Sequence, residues 1–240
     1  MDSGDAAGLL IADREVTVFG GDGTHPRPLV FLHGSRDEAE RLYAELAGAC
    51  VLVCVSGNDW NGDFSPWAAP GVFRQAGDFT GGAAVYARKF EGEIVPGVLE
   101  RLTFAPTGKY LAGYSMAGLF ALYSWLTGTD WTGVVSCSGS VWFDGFLEWA
   151  EAQTPRATRL WLSVGDRERK TRNLRMQTVE EHTRRLAAHW QERMNVRFTL
   201  EQGGHFDDPA GRLVRGIRWC IQRDVTDTYP VCNQYVMHDG

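Results

Sequence analysis

Lys109-Tyr110-Leu111-Ala112-Gly113-Tyr114-Ser115-Met116-Ala117-Gly118 is the stretch on which the reading of this chain turns. Residues 109–113 read as a strand and residues 116–126 as a helix. Ser115 sits at the junction with small residues around it. A strand and a helix joined by so short a turn approach closely, and bulky side chains would keep them apart. Such a turn lifts the serine hydroxyl above the strand end. A hydroxyl is a weak nucleophile until a base takes its proton. The helix N-terminus offers the Met116 N–H and a favourable dipole to a developing oxyanion. Ser115 is therefore the candidate nucleophile, and Met116 a candidate oxyanion donor.

Outward from this turn, short runs rich in β-branched residues alternate with amphipathic stretches. Strands are expected at residues 16–19, 28–32, 51–55, 133–137, 160–164 and 196–201. Helices are expected at 38–47, at 83–102 with a kink or break at Pro96-Gly97, and along the stripe Met176, Val179, Leu186, Trp190 and Met194. A further helix starts at Asp208-Pro209, with a capping carboxylate and proline at its first position. The alternation predicts an α/β chain: a mostly parallel central sheet with helices on both faces. It is read as one catalytic domain over residues 1–240, with 225–240 a loosely ordered tail.

The turn resembles the G-x-S-x-G nucleophile elbow of the α/β-hydrolase fold, with Ala117 in place of the second glycine. That fold orders its triad as nucleophile, acid, histidine. His205, in Gly203-Gly204-His205-Phe206, follows the last strand and has both the order and the position of a general base. His182 and His189 lie within a long helix, and His25 and His238 lie far from any strand end. The acid should follow the strand at 160–164, where Glu168 and Asp166 compete in Gly165-Asp166-Arg167-Glu168. Asp166 also fits a turn residue bonded to its own backbone.

The second oxyanion N–H in this fold comes from the turn after an early strand. Here that is Phe31-Leu32-His33-Gly34-Ser35, and Ser35 or Gly34 would supply it. His33 is expected to pack beneath the turn. Residues 56–80 read as a long irregular loop, a feature that is often functional. Trp60, Phe64 and Trp67 from that loop, with Trp142 beyond the 133–137 strand, are candidates for an apolar substrate wall at the strand ends.

The net charge of −6 argues against a nucleic-acid partner. Residues 1–10 lack the basic and apolar regions of a signal peptide, and no apolar run reaches membrane-spanning length. A cytoplasmic protein without a membrane partner is expected. The five cysteines are scattered, with no CxxC pair for zinc, and read as buried thiols. No metal and no cofactor is implied.

FLHG, GYSMAG, SGSVW, VGDRERKTRN and GGHF together resemble the esterase branch of the α/β hydrolases, over roughly residues 28–220. That branch includes siderophore (enterochelin-type) esterases, S-formylglutathione hydrolase, feruloyl esterases and mycolyltransferases. The resemblance implies catalytic roles for Ser115, His205 and one of the two carboxylates, with Glu168 in the better-matching position. It implies a serine carboxylic ester hydrolase acting on a small-molecule ester through an acyl-enzyme, nearest to the siderophore esterases. An acyltransferase or thioesterase would use the same triad. A non-catalytic binding protein on the same fold is the third reading, toward which Ala117 leans.

Overall fold

A computed structural model describes residues 6–73, 77–128, 130–154 and 159–222. The tail expected at 225–240, and His238, lie outside the described residues. In chain order the strands are β1 (Ala7–Ile11), β2 (Arg14–Phe19), β3 (Leu29–His33), β4 (Val51–Ser56), β5 (Ala68–Ala69), β6 (Phe79–Thr80), β7 (Lys109–Tyr114), β8 (Gly133–Cys137), β9 (Arg159–Gly165) and β10 (Asn195–Glu201). Eight of them form one sheet in the order β1-β2-β4-β3-β7-β8-β9-β10. The pairs from β4 through β10 run parallel, and only β1–β2 and β2–β4 are antiparallel. The expectation of a mostly parallel sheet holds. The loop expected to be irregular contains β5 and β6, which form a separate two-stranded ribbon.

Side chains alternate across a strand, so each central strand feeds two cores. Phe31, Val53, Leu111, Val134 and Leu162 face one side, where they meet α2 (Ala83–Lys89), α4 (Met116–Thr127), α5 (Phe146–Glu151) and α6 (Val179–Trp190). Val30, Leu32, Leu52, Ala112, Val135 and Trp161 face the other, beneath α1 (Arg36–Leu46) and α7 (Pro209–Ile221). Each fully buried side chain of this size contributes about 1.5–3 kcal/mol. Helix α4 is buried on nearly all sides, as its run of apolar residues requires. Helix α1 begins with a capping box between Ser35 and Glu38. Helix α7 begins as expected: Asp208 accepts from the Gly211 N–H and Pro209 follows.

Two local expectations change. β1 was not anticipated. It joins β2 through Ala12-Asp13, both at positive φ, the conformation a tight hairpin needs, without the asparagine–glycine pair that usually announces one. The long helix does not break at Pro96. It passes through a π-helical turn at Phe90–Ile94 and continues as α3 (Val95–Leu99). The wider turn ahead of the proline accommodates a residue that cannot donate a backbone bond. Among the described residues no helix is long and apolar enough to cross a membrane.

Candidate active site

Ser115 is held at φ 58° and ψ −124°, a strained backbone for a residue with a side chain. Its N–H bonds the Cys137 carbonyl at 3.2 Å, and its own carbonyl accepts from Leu119 and Ser140. The elbow depends on Gly113: a Cβ there would lie 2.1 Å from the Ala117 carbonyl oxygen. The close approach is thus made by the backbone of residue 117, and its methyl group is fully buried in the core. The alanine in the second glycine position is accommodated by this packing.

Parallel strands bring their C-terminal ends to one edge of the sheet. Ser115 follows β7, Glu168 follows β9 and His205 follows β10, with the end of β8 between them. There the three side chains meet. His205 Nε2 lies 3.0 Å from Ser115 Oγ, and His205 Nδ1 lies 2.8 Å from Glu168 Oε2. Glu168 Oε1 accepts from the Ser138 hydroxyl at 2.7 Å, the Gly165 N–H at 2.7 Å and Arg212 at 2.9 Å. Burial of Glu168 by itself would raise its pKa. The bonds from His205, Ser138 and the Gly165 N–H outweigh that and hold the carboxyl below its ordinary value. Asp166 does different work. Its Oδ1 accepts the Gly203 N–H at 2.8 Å and clips the β9 turn to the histidine loop. Gly165 lets these two turns touch, since a Cβ there would lie 2.3 Å from the Gly203 carbonyl oxygen.

The serine opens into a cavity of about 480 Å³. Phe79, Trp142, Met176 and Val179 supply apolar wall, exposed Phe73 and Phe206 stand at its edge, and Arg167, Lys170 and Asn61 add polar groups. Met116 lines this cavity, and its N–H, in the first turn of α4, has no intrahelical partner to take it. Gly34 and Ser35 do not line it. They border a separate depression with Trp60, where the Gly34 N–H is bonded to the Val55 carbonyl and the Ser35 N–H faces the Glu38 carboxylate of the α1 cap. Helix α1 starts so soon after β3 that these N–H groups are consumed locally.

The three candidate tryptophans also separate. Trp142 lines the cavity. Trp60 packs edge-on against Phe64 outside it, and Phe64 is fully buried. Trp67 donates to the Asp144 carbonyl and packs on Phe143 and Trp149. His33 lies beneath the turn, bonded through Nε2 to the Tyr86 hydroxyl at 2.9 Å. Burial, helped by Arg14, lowers its pKa to about 3. His182 bonds the Val141 carbonyl from α6. Cys50 and Cys137 are buried thiols whose pKa burial pushes up to about 12, which leaves them unreactive.

Arg212, Ser138 and Tyr114 escaped sequence reasoning. Arg212 reads as one charge among many on an amphipathic helix, and Ser138 as one serine in a small-residue run. The pairing of β7, β8 and β9 brings Tyr114 and Ser138 beside Glu168, and the crossing of α7 beneath the strand ends brings Arg212.

The chain matches the model of the family described as "Putative esterase" over residues 32–212. No curated protein matches the chain. Among solved structures it is similar to an IroE-like serine hydrolase from Shewanella oneidensis, with a TM-score of 0.73 and 16% identity over 87% of this chain and 75% of the other. It is also similar to the siderophore hydrolase EstB from Aspergillus nidulans, with a TM-score of 0.66 and 17% identity over 90% and 94%. An enterochelin esterase from Shigella flexneri matches with a TM-score of 0.66 and 20% identity over 88% of this chain and 57% of that one. Likeness at these identities establishes a shared fold.

Proposed function

Because this chain belongs to the Esterase family of α/β hydrolases, we propose that it is a serine carboxylic ester hydrolase working through an acyl-enzyme on Ser115. The observation that carries the reading is the unbroken relay Ser115 Oγ, His205 Nε2, His205 Nδ1, Glu168 Oε2, with steps of 3.0 and 2.8 Å. An ionised Glu168 accepts a hydrogen bond from Nδ1–H and keeps the proton on that nitrogen, which leaves Nε2 free to receive the serine proton as Oγ attacks the ester carbon. The Met116 N–H and the α4 dipole face the oxygen that gains charge. His205 then returns its proton to the departing alcohol, and water repeats the sequence to release the acid.

The cavity supports an aromatic, acidic ester as substrate. Phe79 and Trp142 offer aryl contact, and Lys170 is a cation on its wall beside Arg167, which is paired with Asp207, in a chain whose net charge is −6. A siderophore-type catecholate ester fits that chemistry, in line with the siderophore hydrolases to which the fold is similar. Two measurements test the reading. Ser115→Ala should abolish turnover of short p-nitrophenyl esters, and a fluorophosphonate should label the parent at Ser115. Unchanged turnover in the variant, or a parent that fails to label, overturns it. A panel of neutral and catecholate esters with added alcohols or thiols then identifies the substrate, and transfer products in place of acid would redefine the enzyme as an acyltransferase.

A further inference from the structure

Arg212 is the most deeply buried charge in the described part of the molecule. Its side chain is 1% exposed, against 4% for Glu168. Burying a guanidinium is costly unless each donor is used, and here the fork is spread over five acceptors. One terminal nitrogen reaches Glu168 Oε1 at 2.9 Å, Ser138 Oγ at 2.8 Å and the Tyr114 hydroxyl at 3.2 Å. The other reaches the carbonyls of Gln202 at 3.2 Å and Gly204 at 3.0 Å. Tyr114 passes the connection on, donating to the His205 carbonyl at 2.6 Å.

These acceptors belong to four separate strand ends. Tyr114 precedes the nucleophile, Ser138 follows β8, Glu168 follows β9, and Gln202 and Gly204 follow β10. We propose that Arg212 is the positioning residue of this site, a single planar cation that sets the acid and the histidine loop against the serine elbow. The proposal rests on the triad reading above and adds a residue that touches no substrate. Its consequence for Glu168 is specific. With Oε1 committed to Arg212, Ser138 and the Gly165 N–H, only Oε2 remains for His205 Nδ1, so the imidazole meets the carboxylate in one orientation. A lysine has the charge but lacks the fork, and cannot reach the carboxylate and two carbonyls together.

The charged and titratable groups around Glu168 are His205 and Arg212, with Tyr114 and the Cys137 thiol beneath, Asp166 on its own turn, and the exposed Arg167–Asp207 pair outside. Among the described residues, Arg212 is the only fixed positive charge that bonds Glu168. Without it the carboxylate loses an opposite charge 2.9 Å from Oε1 that favours its ionised form, and a neutral carboxyl would hold the His205 N–H less strongly.

The experiment compares Arg212→Met, Arg212→Lys and Tyr114→Phe with the parent, on p-nitrophenyl acetate, normalised to active sites by fluorophosphonate titration. Arg212→Met should lower kcat per titrated site about 10²-fold and leave KM within a factor of about three. The acid limb of its kcat/KM profile should move to higher pH. Arg212→Lys should recover only part of this. Tyr114→Phe, which removes one hydroxyl, should lower kcat by several-fold. Should Arg212→Met not fold, the other two variants carry the test. A purely structural arginine would reduce the number of titrated sites and leave kcat per site and the acid limb unchanged, and that result in Arg212→Lys and Tyr114→Phe overturns the proposal. A parent that neither labels nor turns over would instead overturn the triad reading.

Discussion

Replacing Glu168 by Gln separates the two candidate acids through an orientation that the structure dictates. Three donors surround Oε1: the Gly165 N–H and Arg212, which can only donate, and the Ser138 hydroxyl. A glutamine amide must place its oxygen there, because turning the NH₂ group toward two obligate donors would leave them unpaired at about 1–3 kcal/mol each. The NH₂ group is then left facing His205 Nδ1, 2.8 Å away in the parent. That nitrogen must become an acceptor, so the ring proton moves to Nε2, where it points at Ser115 and cannot be replaced by the serine proton. The same carboxylate-to-amide change in a serine-protease triad lowers kcat about 10⁴-fold. A loss of about 10³–10⁴-fold is expected here, roughly 4–5.5 kcal/mol of transition-state stabilisation. Asp166→Asn keeps an oxygen for the Gly203 N–H and loses only charge assistance, about 1 kcal/mol, so its kcat should stay within a factor of about three. Hydrolysis of p-nitrophenyl acetate, with circular dichroism to verify folding, decides the matter. A Glu168→Gln enzyme within tenfold of the parent would refute the reasoning, as would an Asp166→Asn enzyme that is the more impaired of the two.

Gly113→Ala places a methyl 2.1 Å from the Ala117 carbonyl oxygen. The elbow must then shift by about 1 Å, which should cost about 10²-fold in kcat and about 1–3 kcal/mol in stability. A parent-like kcat with a parent-like melting temperature would contradict the packing of the turn. His33 has a folded pKa of about 3, below the ordinary 6.5, so the unfolded chain binds the extra proton between those values. Stability is full above pH 6.5 and falls as pH drops toward 3, at up to about 1.4 kcal/mol per pH unit. His33→Phe keeps a ring but cannot titrate. Urea midpoints between pH 7 and 5 should decline less steeply in this variant, and identical slopes would count against the assigned burial.

Chemistry carried by short spacing was legible in the chain itself. A strand, a serine among small residues and a helix specify an elbow, because steric exclusion at a tight turn acts over neighbouring residues. The alternation of apolar runs specified the α/β class, and the order Ser115, Glu168, His205 lies in the primary structure. Distance relations between strand ends were decided only by the packed sheet. Glu168 and Asp166 are two residues apart on one turn, and the direction of that turn sends one to His205 Nδ1 and the other to the Gly203 N–H. Met116 faces the cavity, while Gly34 and Ser35 spend their N–H groups on β4 and the α1 cap. Arg212 lies 44 residues from Glu168 along the chain, and only the course of α7 beneath β7 and β8 brings it there. Local sterics can be read from local sequence. Hydrogen bonds between chain segments depend on where every other segment has already packed.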